Sequence, residues 1–410
     1  MSPGDRSFPV GLNIPRKLTT TFLALACVGA VGFVFGVLGP EPLRAWQAYL
    51  VNLLFWMGLS FGAMLFVAVL NMTGGKWGRP LKRLSESFGA YLPVGFCSFW
   101  LLYLGRKELF PWIRHPVPGK QSWLNVPFLF VRDGAGLLLL TIVSLALVYF
   151  SLRSDREWSR DSSDSARDDT APWVVSWRHQ LVLSPLVGVV YAFVLSLVGF
   201  DLVMSLDPRW YSTLFGGYFF IGCFYTAIAA VYLLSLVAGG TEELKGHLAA
   251  PVLHDMGKLL LAFCLFTGYL FYAQFLVIWY GNLPEEARHV ILRVKLSPWE
   301  PLAWTVLFMT FVVPFLILLS RRAKLKRPVM ICLSLVIMVG MWLEKFVEVA
   351  PSLWTGKNIP LGFTEACVTA GFLGVVGLCL TEFLKRVPLM PVSDPLYRES
   401  VEDRRERLTP

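Results

Sequence analysis

Ten stretches of the chain run for about 20 residues with few polar positions. They fall at about 18–39, 46–70, 84–105, 127–150, 180–203, 212–238, 257–279, 300–319, 328–349 and 362–384. That length is what a helix needs to cross the hydrocarbon core of a bilayer. Barrel strands would alternate apolar and polar residues, and runs such as Leu137 to Phe150 do not alternate. In lipid only helices or closed barrels satisfy their own backbone. The pattern therefore predicts an all-α, polytopic membrane protein of ten transmembrane helices. Arg16-Lys17 ahead of the first run resembles the start of a signal peptide. The run is longer than the roughly 7–15 apolar residues such a peptide carries, so an uncleaved first helix is expected.

Between these runs lie the polar segments. The expected organisation is a cytoplasmic N-terminus (1–17), a membrane domain (18–384) and a polar cytoplasmic tail (385–410). Residues 151–178 read as a cytoplasmic loop. Within it Ser151 to Asp169 is rich in Ser, Asp and Arg, a composition that reads as mobile.

Composition narrows the class. Hydrophobic residues make up 55% and charged residues 16%, against about 25% charged in a soluble domain. A soluble globule and a disordered chain are both excluded. The net charge of +9 points to loop orientation rather than to nucleic acid. Of the 37 Lys and Arg, 25 fall in one set of loops and termini and 10 in the opposite set, with Arg132 and Lys345 inside spans. Basic loops face the cytoplasm, so both termini are expected there.

Little redox or catalytic chemistry is legible. The five histidines, His115, His179, His247, His254 and His289, lie in loops or at helix ends. They form no mid-span pair of the kind that ligates haem. The seven cysteines lie in spans, with no C-x-x-C, so zinc and iron–sulfur spacing are missing and the cysteines read as small buried hydrophobes. No P-loop, Gly-rich dinucleotide turn or G-x-S-x-G occurs. No metal site and no catalytic residue are expected, nor any redox cofactor bound by this chain.

Ionisable groups inside spans are costly and mark function by default. The candidates are Arg132 and Asp133 in the fourth span, Asp201 ending the fifth, Glu344 and Glu348 with Lys345 in the ninth, and Glu365 in the tenth. All lie toward the predicted outer side. His254, Asp255 and Lys258 enter the seventh span from the cytoplasmic side, and Gln274 lies near its far end. Acids, His and Lys at two depths suit a proton relay, with Tyr191, Ser196, Tyr269, Tyr272 and Gln274 as bridging groups. Asp201, Glu344, Glu348 and Glu365 are expected to approach one another. The plainer alternatives are snorkelling for Arg132, helix-end charges for Glu344 and Glu348, an N-cap for Asp255, a turn at Asp207-Pro208, and ordinary core packing for the bridging groups.

The third and seventh spans are both aromatic-rich and leave into long loops. Small residues recur in the second (Gly58, Gly62) and sixth (Gly216, Gly217, Gly222, Ala227) spans, which favours close packing. Helices 2–5 and 6–9 then make two four-helix bundles in parallel orientation, flanked by helices 1 and 10.

Several motifs resemble a known family. They are Asp201-Leu-Val-Met-Ser-Leu-Asp-Pro-Arg-Trp-Tyr-Ser-Thr-Leu-Phe-Gly216, Leu253-His-Asp-Met-Gly-Lys-Leu-Leu-Leu-Ala-Phe263, Gln274-Phe-Leu-Val-Ile-Trp-Tyr-Gly-Asn-Leu-Pro-Glu-Glu286, Ser320-Arg-Arg and Pro391-Val-Ser-Asp-Pro395. They resemble the ActF subunits of alternative complex III, which are NrfD-like proteins related to the quinone-binding anchor of polysulfide reductase. The resemblance runs from Trp46 to Pro395. It implies two four-helix bundles inside a quinol:cytochrome c (or other acceptor) oxidoreductase. It also implies an ActC-like paralogue, an iron–sulfur subunit and haem c subunits as partners, with haem c and iron–sulfur clusters held there. This chain would then contribute a proton route and scaffold.

Two other readings compete. In one, the chain is the quinol-binding anchor of a molybdopterin/iron–sulfur oxidoreductase, with Arg132 and Asp133 holding the ring and taking its protons. In the other it is a stand-alone secondary transporter. Transporters break paired helices at mid-membrane, and no matched pair is evident, although Pro93, Pro185 and Pro314 lie in spans.

Overall fold

The computed structural model describes residues 11–160, 170–241 and 250–406. Among the described residues ten helices are long and apolar enough to cross a membrane. They are α1 (Arg16–Leu38), α2 (Pro42–Met72), α3 (Leu92–Leu109, reached through short helical turns from Arg79), α4 (Val126–Arg160), α5 (Pro172–Leu202), α6 (Phe215–Ala238), α7 (Ala250–Gly281), α8 (Glu300–Leu319), α9 (Arg327–Leu353) and α10 (Phe363–Arg386). Among the described residues there is no strand. Pro42, Pro172, Pro301 and Pro328 sit in the first two positions of their helices, where a missing N–H costs nothing.

The helices close two rings. In the first, α2 packs on α3, α3 on α4, α4 on α5 and α5 on α2; in the second, α6 packs on α7, α7 on α8, α8 on α9 and α9 on α6. The rings meet chiefly where α2 lies on α6, while α1 runs along α10, which leans on α2. This is the pair of four-helix bundles with two flanking helices expected from the sequence. Along its most apolar stretch α2 is 94% buried and α1 only 6%, so α2 is the central helix and α1 faces lipid.

Small residues set the bundle interface. A Cβ on Gly62 would fall 2.7 Å from the Ala227 Cβ and 2.8 Å from the Cys223 carbonyl oxygen of α6. Without cohesion from water, helices in lipid gain from such close contact.

Pro185, Pro314 and Pro351 lie inside long helices, and at the last two the freed carbonyl finds a side chain. Pro314 cannot donate to the Thr310 carbonyl one turn back. A π-turn runs over Phe308–Val312, and the Tyr225 hydroxyl donates to the Thr310 oxygen at 3.0 Å. Pro351 likewise leaves the Val347 oxygen free, and Arg293 Nε donates to it at 3.1 Å.

The expected loop 151–178 is mostly helix. α4 continues to Arg160 and α5 begins at Pro172; residues 161–169 lie outside the described residues. The continuation follows from Asp155, which is buried and bonded to Arg83, and from the Arg153–Glu157 pair one turn apart at 2.7 Å. The tail also folds back. Leu389, Met390 and Tyr397 are buried against Leu12, Leu84 and Ala238, and a helix follows over Pro395–Glu406.

Candidate functional site

The even-numbered helices begin at one end of the bundles, here the upper end, and finish at the lower end. Most of the nominated ionisable groups occupy the upper end, in three separate sets.

The first set joins α4 to α5. Arg132 donates from Nε (2.8 Å) and from one terminal nitrogen (2.6 Å) to Asp201 Oδ2, and the Trp123 indole donates to Asp201 Oδ1 at 3.0 Å. The guanidinium lies 3.8 Å from the Trp123 ring and 4.5 Å from the Phe128 ring. Arg132 therefore does not snorkel. It is held inward by a charge-assisted pair and by cation–π contact. Asp133 is 1% exposed, lies against Asp201 and meets no hydrogen-bond donor. Counting charges, Arg132 neutralises Asp201 and leaves one negative charge on Asp133.

The second set is on α9. Lys345 Nζ lies 2.9 Å from Glu348 and 3.6 Å from Glu344, and 4.3 Å from the Phe219 ring. Tyr218 faces Glu344. Glu344 and Glu348 thus share one ammonium rather than pointing at headgroups. The third set is bidentate: Arg44 Nε and NH2 meet the two oxygens of Glu365 at 2.9 and 2.8 Å.

Of the four acids expected to meet, Glu344 and Glu348 come together on Lys345, while Asp201 is held by Arg132 and Glu365 by Arg44. Phe219 stands between the first two sets. It abuts Gly199, two residues before Asp201, and its ring carries Lys345.

On α7, Lys258 bonds Asp255 at 2.8 Å on an exposed surface, and His254 Nδ1 is buried without a partner. Gln274, sixteen residues and about 24 Å further along α7, accepts from Ser212 at 3.4 Å. Of the bridging groups, Tyr269 and Tyr272 point outward, and the Tyr191 hydroxyl is occupied by the Phe220 carbonyl at 2.7 Å. His247 lies outside the described residues.

The structure adds two groups that the sequence did not nominate. At the lower end of the first bundle Arg79, Lys82, Arg83, Glu86, Asp155 and Asp394 are all buried together. Asp394 takes Arg79 at 2.9 Å and Lys82 at 3.1 Å. Arg83 pairs with both Glu86 and Asp155. Three cations face three acids, which is how buried charge is tolerated. The sequence signal available was the Arg83–Glu86 spacing of one helical turn. At the upper end, in the loop outside the spans, the imidazole of His289 stacks on Trp210 at 3.8 Å and lies 3.3 Å from Asp207. Burial and the nearby Arg293 push His289 down to about 3, while the His289 hydrogen bond lowers Asp207.

Among the described residues no group of three or more His, Cys, Asp and Glu is placed to hold a metal ion. Residues 36–355 match the protein family described as Polysulphide reductase, NrfD. The chain belongs to the NrfD family. No curated protein sequence matches it. The NrfD match starts at Gly36 and ends at Thr355, so it spans both four-helix bundles and leaves out α10. NrfD proteins are membrane subunits of redox complexes that interact with quinol and partner iron–sulfur and other subunits.

Proposed function

We propose that this chain is an ActF-type subunit of an alternative complex III in a bacterial cytoplasmic membrane, with both termini in the cytoplasm. It serves there a quinol:cytochrome c (or other acceptor) oxidoreductase whose haem c and iron–sulfur centres sit in partner subunits. Its own part is scaffold and proton route. The observation that carries this reading is Asp133, a buried carboxyl with both oxygens free beside the Arg132–Asp201 pair. A structural ion pair needs no such third member. A group that exchanges protons does.

A second reading has support from the same place. One terminal nitrogen of Arg132 is also without a partner, so a donor and a proton acceptor lie side by side, as a quinol ring requires. This makes the chain itself the quinol site.

Purification from native membranes in mild detergent tests the assignment. The expected result is co-purification with an NrfD-family paralogue, an iron–sulfur subunit and haem c subunits, and quinol oxidation by the assembly. A chain that purifies alone would overturn it.

A further inference from the structure

We propose that the groove between α1 and α10 binds one phosphatidylethanolamine molecule from the upper leaflet. An acyl chain lies along α1, and the headgroup meets Glu41 and Arg44. The site lies outside both four-helix bundles and does not depend on the redox reading above.

The groove has a volume of about 640 Å³, inside the range of roughly 300–1,000 Å³ found for small-molecule sites. Val28, Val31 and Phe35 of α1 and Phe363 of α10 wall it, and all four are exposed. Its floor is closed where the two helices touch. A Cβ on Gly32 would fall 2.4 Å from Cys367 Cβ, and one on Gly36 2.7 Å from Thr364 Cγ2. From Cys27 to Gly39 the lining rises about 18 Å along α1. That is a little over half of the roughly 30 Å hydrocarbon core. The groove therefore runs through one leaflet, from mid-membrane to the upper interface, which is the course of a single acyl chain.

Contact with bulk lipid would need only the apolar walls. The mouth, however, is charged, because Glu41 and Arg44 both line it. Arg44 NH1 donates to Glu41 at 3.2 Å, while Nε and NH2 are held by Glu365. The Glu365 side chain is 4% exposed and that of Glu41 53%. One guanidinium thus serves two carboxylates, and the acid left in excess is the accessible one. Glu41 stands at the start of α2 but makes no capping bond with its side chain, so helix capping does not account for it. This pattern complements a headgroup that carries an ammonium beside a phosphate. The ammonium has three N–H donors for Glu41. Arg44 NH1 carries two hydrogens and gives one to Glu41, which leaves the other for a phosphate oxygen. Phosphatidylglycerol would bring an anion to Glu41 with no offsetting cation. Phosphatidylcholine has the positive charge but no N–H to donate.

The test uses the full chain, delipidated in a nonionic detergent and offered dioleoyl phosphatidylethanolamine, phosphatidylglycerol or phosphatidylcholine at equal concentration, with native mass spectrometry as the readout. The wild type should retain one phosphatidylethanolamine about ten-fold better than either other lipid, the ratio that one charge-assisted hydrogen bond supplies. Glu41→Gln should bring the ratio to about one, and Glu41→Asp should keep the preference. Val31→Trp, which fills the groove from an exposed position, should lower retention of all three lipids. Val182→Trp, exposed on α5, should change nothing. Equal retention of the three lipids by the wild type, an unchanged ratio in Glu41→Gln, or full retention in Val31→Trp would overturn the site. In native membranes a photo-crosslinker at Phe35 should capture lipid, and capture of a partner polypeptide there would overturn it as well.

Discussion

Arg79 and Asp394 meet at 2.9 Å inside the protein, 315 positions apart in sequence. The pair is 0% and 1% exposed, and Lys82 shares the same carboxylate oxygen. The tail thus supplies the counter-ion that lets two cations lie under the first bundle. Removing one partner of a buried pair leaves an uncompensated charge and costs about 3–5 kcal/mol. Asp394→Ala should therefore lower the unfolding temperature in detergent markedly. Glu399→Ala, which breaks an exposed pair with Lys76, should change stability by less than about 1 kcal/mol. Equal effects from the two substitutions would contradict the burial.

The loop outside the spans should be acid-sensitive. Both Asp207 and His289 have folded pKa values below their ordinary ones. For each, the unfolded chain binds the proton more readily, so acid favours unfolding. The His289 contribution is complete above about 6.5 and is lost as pH falls toward 3, amounting to about 2 kcal/mol at pH 5. Because Arg293 ties this loop to the end of α9 through Val347 and Ser352, the loss should be seen as local opening. Corrected for the intrinsic amide exchange rate, the protection of residues 284–294 should fall as pH drops from 6.5 to 5 in the wild type and stay flat in His289→Gln. A flat wild-type profile would refute the assignment.

Contact between the bundles rests on a glycine. Gly62→Leu adds a side chain where even a Cβ meets Ala227 and Cys223 within 3 Å. Overpacking of this kind costs about 1–3 kcal/mol or more. The variant should lose thermal stability, whereas Gly217→Ala on α6, with nothing near its Cβ, should not. Size and melting temperature of the two purified variants decide between these outcomes.

The spans were legible because lipid demands long apolar runs, and the two bundles followed from the likeness of the third and seventh spans. Helix ends were less legible. The lower turns of α4 carry Ser, Arg and Asp, which read as loop, yet Asp155 is buried by Arg83 and by Ser393, whose hydroxyl donates to it at 2.5 Å. Asp201 and Arg132 stood out as charges in apolar surroundings. Their pairing did not, because 69 residues separate them and no local spacing encodes the contact. The burial of Arg79 and Lys82 was illegible for the same reason, their counter-ion Asp394 lying in the tail.

Proton release per quinol, in vesicles holding the complex purified with its native partners, tests the central claim most directly. Asp133→Asn keeps the shape of the side chain and leaves the Arg132–Asp201 pair in place, but it cannot give up a proton. The account predicts that quinol oxidation continues in this variant while protons released per electron fall. Unchanged proton stoichiometry would contradict it.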